Sequence, residues 1–484
     1  VPIPPYKSPI LRSGWKPNPF DRITERRRLR VLLDRPLLAG DADGQGEFAG
    51  YPFMPGGSTG FPDAAAVLRS YGQHEAVELL FVTDDPDATG GVVLEDPDLE
   101  RDEVCFTVHD KMWTGVDGYR ESLAEAQELA GRHGLQVTEA LAGVLLPHIG
   151  NQIECDAIVT SRPWLLARRT GAHARHQANV LSPEEALALV GLFLRWHGDP
   201  VIIGGGRIRW SPVPMRQAAA YAMLPSYREW AAAAPRDHAG DLPYSSLVAS
   251  CLTRVARALA FRDAIHGLSA HDARRNADEM LAELDSLLYS LVGAFDITAR
   301  VADLYLGLNT PNFQVGWQKQ AWRDQLDGRA PELANFTGAG GTAHRVMKVA
   351  AVLRNTVHSA ALHFTGHQSL GGEENILVTV PPAEEQALLR WLDVDGDAWG
   401  IVTLPSGRVA LSACKFVERL VPASLVALDG TMSRTPLDGL PAHTPTDPQQ
   451  NWRFCDTTGH RLRLLYGLPD LSSQAPNLAY RAII

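Results

Sequence analysis

Residues 342–364, TAHRVMKVAAVLRNTVHSAALHF, constrain the fold more tightly than any other stretch. Val346, Val349, Ala350, Leu353, Val357, Ala360 and Phe364 recur every three or four positions, the period of a helix with one apolar face. Such a helix must lay that face against a core. Arg354 and His358 stand at i and i+4, so they stack one turn apart on the same side. Each follows a core position, Leu353 or Val357, by about 100° of rotation, which puts the pair at the edge of the buried stripe where a cleft can open.

Apolar spacing of the same kind runs upstream. Residues 245–268 carry Leu247, Val248, Cys251, Leu252, Val255, Leu259 and Ile265, and residues 270–308 carry Leu281, Leu284, Leu287, Leu288, Leu291, Val292, Phe295, Ala299 and Leu304. Gly293 predicts a bend in the second. A shorter helix over residues 317–326 follows the NTPN turn. Joined by short links, these segments and the central helix predict an antiparallel bundle over residues 241–365. Gly338-Ala339-Gly340-Gly341 is a glycine loop leading into the central helix, whose amides could also assist anion binding.

The flanking regions predict an α+β multidomain protein. Residues 1–180 read as a mixed α/β domain with a proline-rich arm. Its strand candidates are VELLFVTD, VCFTVHD and ECDAIVTS, and its helix YRESLAEAQELAGRHG stops at a glycine. Residues 181–240 hold a connecting helix and a hairpin. Ser182 is the helix N-cap, Pro183 its first residue and Glu185 the acid of a capping box, and the hairpin VIIGGGRIRWSPV turns at Gly204, Gly205 and Gly206. Residues 366–484 read as a β-rich α+β unit. Its elements are the strand ENILVTVPP, the helix AEEQALLRWL and two hairpins, turning at Pro405-Ser406-Gly407 and over residues 457–459.

Composition narrows the function classes. The chain of 484 residues has 45% hydrophobic and 21% charged residues and no apolar run long enough for a bilayer, so the expectation is a cytoplasmic protein with no membrane partner. Its N-terminus lacks the apolar core and cleavage site of a signal peptide. A net charge of -11 argues against a nonspecific coat on nucleic acid, which needs many cationic phosphate contacts, but leaves room for a local basic site. The five cysteines, at 105, 155, 251, 414 and 455, form no C-x-x-C pair and indicate neither a disulfide framework nor zinc.

Several short motifs fail on context. Ser58 in Gly56-Gly57-Ser58-Thr59-Gly60 has the spacing of a nucleophile elbow, but Pro55 precedes it and Pro62 delays any helix, so it reads as a turn. Gly204, Gly205 and Gly206 have no Lys-Ser/Thr helix behind them and are not a Walker loop. Asp393, Asp395 and Asp397 imitate a calcium loop, but Ala398 and Leu404 stand where glycine and glutamate belong. The acidic loops DDPDATGG and EDPDLERDE read as solvated, and His173 and His176 have no third ligand. No metal and no cofactor are expected.

The helices AFDITARVADLYLG, VGWQKQAWRDQL and LRNTVHS together resemble the HEPN superfamily, the higher eukaryote and prokaryote nucleotide-binding domains, over residues 245–365. That resemblance implies a metal-independent endoribonuclease of a toxin or antiviral defence system. It further implies a site shared between two protomers of a homo-oligomer, with RNA as target and an antitoxin or other defence protein as partner. The family signature places four to six residues between its arginine and histidine, whereas three separate Arg354 from His358. The catalytic set is then Arg354, Asn355 and His358, with Asp296 in support. An unperturbed imidazole changes charge near neutrality, which suits His358 to acid/base work on a 2′-hydroxyl. Arg354 supplies a fixed fork for phosphate charge, and Asn355 orients the phosphate or a ribose hydroxyl. The competing expectation is structural: Arg354 snorkels or pairs with Asp296, His358 caps a core edge, and the bundle is an inert binding or scaffold module.

Overall fold

The computed structural model describes residues 19–21, 27–34, 37, 63–81, 103–108, 111–117, 119–168, 179–203, 206–208, 212–233, 244–272, 275–359, 362–370, 373–392, 399–437 and 456–468. The chain is mixed α and β, with both parallel and antiparallel sheets, and divides into two compact units. The first holds residues 1–209, 369–373 and 464–467; the second holds residues 210–368, 374–463 and 468–484. Ser58, His173, His176, Asp393, Asp395, Asp397, Gly204, Gly205 and the acidic loop residues 84–91 and 95–102 lie outside the described residues, as does the proline-rich arm over residues 1–18.

In chain order the first unit contains β1 (Leu29–Leu33), α1 (Ala64–Arg69), β2 (Val77–Phe81), β3 (Glu103–Val108), β4 (Lys111–Asp117), α2 (Tyr119–His133) and α3 (Val137–Gln152). It continues with β5 (Ala157–Val159), α4 (Pro163–Arg168), β6 (Asn179–Leu181), α5 (Pro183–His197), β7 (Val201–Ile203) and β8 (Gly206–Ile208). A parallel sheet runs in the order β2-β1-β5-β6. Its strands are short and largely apolar, as in a sheet covered on both faces, and the two charged residues of β1 and β2, Arg30 and Glu78, stand opposite each other and pair at 2.9 Å. Leu80, Leu32, Ile158 and Val180 stand in one cross-strand row and pack with Leu141, Leu145 and Ile149 of α3 and with Ala126 and Leu129 of α2. α5 packs against β5 and β6 and against α1. Its start is the expected capping box, with the Glu185 amide donating to Ser182 Oγ and the Ser182 amide to Glu185 Oε2.

Ion pairs lock β1 to β5 at both ends. At the amino ends Arg27 Nη1 donates to Asp156 Oδ2 at 2.7 Å. At the carboxyl ends Arg162 Nε donates to Asp34 Oδ2 at 2.8 Å, and the Thr160 hydroxyl donates to the same carboxylate.

The second unit contains α6 (Pro212–Ala222), α7 (Tyr227–Ala232), α8 (Tyr244–Asp272), α9 (Ala277–Tyr305), α10 (Gln320–Asp327), α11 (Pro331–Thr337) and α12 (Thr342–Ser359). After these come β9 (His363–Leu370), β10 (Glu373–Thr379), α13 (Pro382–Leu392), β11 (Ile401–Thr403), β12 (Val409–Ser412), α14 (Ala413–Ser433) and α15 (Asp456–Tyr466), with residues 369–370 of β9, 373 of β10 and 464–466 of α15 counted in the first unit. α8 and α9 form a long helical hairpin, and α12 and α14 pack on it and on each other. The second sheet runs in the order β11-β12-β10-β9. α9 is anchored to the chain that follows it through Asp303, whose carboxylate accepts from Trp322 Nε1 at 2.8 Å and from the Thr310 amide at 3.1 Å.

Three expectations are corrected here. The central helix stops at Ser359, and Phe364 falls on β9 with 37% of its surface exposed, because side chains on a strand alternate between faces and the helical spacing no longer applies. Residues 456–466 are helical and make no hairpin, since Leu462, Leu465 and Tyr466 recur at helical spacing and are all buried. Among the described residues of 366–484 helix outweighs strand: the 21-residue α14 is the longest element there, and α14 is a full member of the helical assembly, where the short α10 had been expected. Gly293 sits inside an uninterrupted α9. Among the described residues no helix is long and apolar enough to cross a membrane.

Candidate functional site

Leu353 is fully buried and Arg354, the next residue, is partly exposed, so the edge position expected for Arg354 is the one it holds. Arg354 faces α9. There Tyr289, Gly293, Asp296 and Arg300 follow one another at intervals of four, three and four residues, which places them in one stripe along the helix. Tyr289 and the two charged residues are exposed, Tyr289 by 38%.

The stripe is flanked by arginines from both neighbouring helices. The Arg354 guanidinium lies 5.7 Å from the centroid of the Tyr289 ring, and its Nη1 donates to Asn355 Oδ1 at 3.1 Å. Its Nε is shielded from water and has no hydrogen-bond partner among the described residues. From the other side, Arg254 of α8 lays its guanidinium over Gly293. Arg300, one turn past Asp296, completes the set.

Asp296 stands among these cations. Neighbouring protein crowds water from its carboxyl and raises its pKa above the ordinary carboxylate value, while the positive charges of Arg354, Arg300 and Arg254 act against that rise. Three arginines against one aspartate leave the patch cationic, on a chain whose net charge is -11. A fork-shaped cation beside an exposed phenol ring can hold a phosphate and stack a base.

Of the residues singled out from sequence, Arg354, Asn355 and Asp296 are gathered at this patch. His358 lies on α12 one turn beyond Arg354, and its side chain is outside the described residues. Arg254, Arg300 and Tyr289 were not anticipated. Arg300 and Tyr289 carried a signal in their register with Asp296 along α9, whereas Arg254 joins only through the packing of α8 on α9. No cluster of three or more metal-ligating side chains occurs among the described residues. No protein-family model matches the chain, nor does any curated protein or solved structure.

Proposed function

We propose that the helical assembly of the second unit acts on RNA as a metal-independent endoribonuclease of the HEPN type, in a toxin or antiviral defence setting. The observation that carries this reading is the convergence of Arg254, Arg300 and Arg354 on Asp296 beside the exposed ring of Tyr289. Single-stranded RNA is held by arginine forks on phosphate and by aromatic faces under bases, and this patch supplies both chemistries within about three turns of α9.

In this reading Arg354 steadies the charge that builds on the scissile phosphate, and Asn355, hydrogen-bonded to it, fixes the direction of the fork. His358 moves the proton of the attacking 2′-hydroxyl. Asp296 keeps the arginines from splaying apart in the absence of RNA. A second copy of the chain completes the site.

The test is incubation of the purified protein with total RNA in EDTA. Wild type is expected to leave 2′,3′-cyclic phosphate ends, and Arg354→Ala and His358→Ala to lose activity by about 10² to 10⁴ while staying folded. Equal cleavage by all three proteins would sink the assignment. A second reading, in which the bundle is catalytically inert and mediates assembly, is favoured by the three-residue spacing between Arg354 and His358. It predicts RNA binding or self-association with no cleavage by wild type.

A further inference from the structure

The amino-terminal end of α12 carries a second group of basic side chains, apart from the arginine patch. At about 100° per residue, His344, Lys348 and Arg345 project within about 100° of arc, so they share one face of the helix. Arg323 stands opposite on α10, where its amide closes the first turn by donating to the Lys319 carbonyl at 3.0 Å. Lys348 Nζ reaches the same corner and lies 3.5 Å from Gln318 Oε1.

The fold leaves each of these groups with unused capacity. His344 has 5% of its surface exposed; its Nδ1 lies 3.2 Å from the Thr337 carbonyl, and its ring meets that of Trp391 edge-on at 5.3 Å. A carbonyl only accepts, so the proton sits on Nδ1, and Nε2 has no hydrogen-bond partner among the described residues. Arg323 Nη2 donates to Gln320 Oε1 and Arg345 Nε to the Trp391 carbonyl, yet Arg323 Nε and Arg345 Nη2 are shielded from water with no partner among the described residues. Asp324, beside Arg323 in the chain, accepts from Gln320 Nε2 at 2.7 Å. Loss of water and then the charge of Arg323 hold Lys348 below its ordinary pKa. Loss of water holds His344 down as well, against the Thr337 carbonyl, and Lys348 and Arg323 add to the effect.

We propose that this cluster binds a phosphate group, of an RNA strand or of a free phosphate compound, through Arg323, Arg345 and Lys348, with His344 facing it. Donors shielded from water without an acceptor are destabilising, and one oxyanion supplies acceptors to several at once. Cations from two helices suit a tetrahedral dianion better than a flat carboxylate with a single charge. A bound dianion also relieves the repulsion between Lys348 and Arg323. It gives His344 a negative neighbour, so the imidazole takes its second proton more readily and reports occupancy. Binding alone is at issue, so the site stands or falls apart from cleavage at Arg354.

The test isotopically labels the histidines of the full chain and follows His344 by NMR while inorganic phosphate replaces chloride at constant ionic strength. Its signal is assigned by its loss in His344→Gln. His344 is expected to titrate at higher pH in phosphate than in chloride, and to show no such difference in the double variant Lys348→Gln/Arg323→Gln, whose replaced side chains are partly exposed. A single-stranded 2′-O-methyl oligoribonucleotide, which 2′-hydroxyl attack cannot cleave, separates the two sources. If the site holds a strand, the double variant lowers the slope of log affinity against log salt by about 1.4, for two lost phosphate contacts. A phosphate-dependent His344 with an unchanged slope assigns the site to a free phosphate compound. Should the double variant fail to fold, Lys348→Gln alone replaces it, with a slope change of about 0.7. A His344 titration that is the same in phosphate and chloride, together with an unchanged slope, would overturn the proposal, as would a phosphate effect that persists in the folded double variant.

Discussion

The guanidinium of Arg254 rests where a side chain on Gly293 would be: a Cβ at that glycine would stand 2.6 Å from Arg254 Cζ and 2.9 Å from its Nε. The glycine is helical and interior, so it is kept for space and not for backbone freedom. Gly293→Ala should therefore push Arg254 off the α9 stripe without unfolding the protein, since the obstructed group is the end of a flexible side chain. Helix propensity favours alanine by about 1 kcal/mol and offsets the repacking, so stability in urea should change by less than about 1 kcal/mol. RNA affinity should fall, with a salt dependence whose slope is reduced by about 0.7 for one lost phosphate contact. An unchanged slope would remove Arg254 from the RNA-binding surface.

Leu353 and Phe364 belong to the same apolar series in the sequence, yet one is fully buried and the other is exposed on β9. Leu353→Ala should cost about 2 to 5 kcal/mol as a core truncation. Phe364→Ala should stay within about 0.5 kcal/mol. Chemical denaturation of the two variants side by side checks the point at which the helix gives way to strand.

The buried seam of α8 and α14 ties stability to pH at both ends of the scale. The folded-state pKa of His266 is raised from 6.5 to about 9, so its contribution is fully present below 6.5 and is lost as pH rises through about 9. The Glu418 carboxyl is resisted by burial but held down to about 2 by Arg262 and His266, so its contribution is present above 4.5 and is lost as pH falls through about 2. Melting temperatures should decline on both sides of a plateau. Glu418→Ala should cost about 3 to 5 kcal/mol, because it leaves two buried cations unpaired. A flat profile between pH 7 and about 9.5 would mean that His266 gains nothing from its partner.

Ser182→Ala should remove one half of the capping box of α5 and cost about 0.5 to 2 kcal/mol, measured by denaturation. Replacing Ser182 with aspartate, which caps equally well, should leave stability near wild type.

How much could be seen in the sequence depended on whether an element carried its own local signal. α5 has a capping box and a run of apolar residues, α2 ends on Gly134 in the left-handed region, and the β11–β12 turn holds Gly407 at φ 77°; each was legible from a few adjacent residues. α14 was not. It carries Pro422 and Gly430 in its interior, both of which argue against a helix locally, and it buries the charged Glu418, whose partners lie more than 150 positions away. Tertiary packing overrides those signals, since Gly430 gives room to the ring of Phe336 and Arg262 neutralises Glu418. The patch divides in the same way. Arg354, Asn355 and Asp296 could be named from motif and spacing, whereas Arg254 reaches α9 across a helix pairing that no periodicity reports.

The first unit reaches far along the chain to finish itself. Gly191 leaves room for the Leu465 carbonyl, which accepts from Arg195 Nη1 at 2.8 Å, and the Arg195 guanidinium covers the ring of Tyr466 at 3.7 Å. These partners are 270 positions apart, and residues 464–467 count as part of the unit that contains β1. A loop of that length closes slowly, because its entropy is spent before any contact returns it. During synthesis α5 thus waits for residues made about 270 positions later. Until residues 464–467 arrive, the Arg195 guanidinium lacks the Leu465 carbonyl and the Tyr466 ring. A nascent chain arrested before residue 464 would hold the parallel sheet in an unfinished, protease-sensitive form.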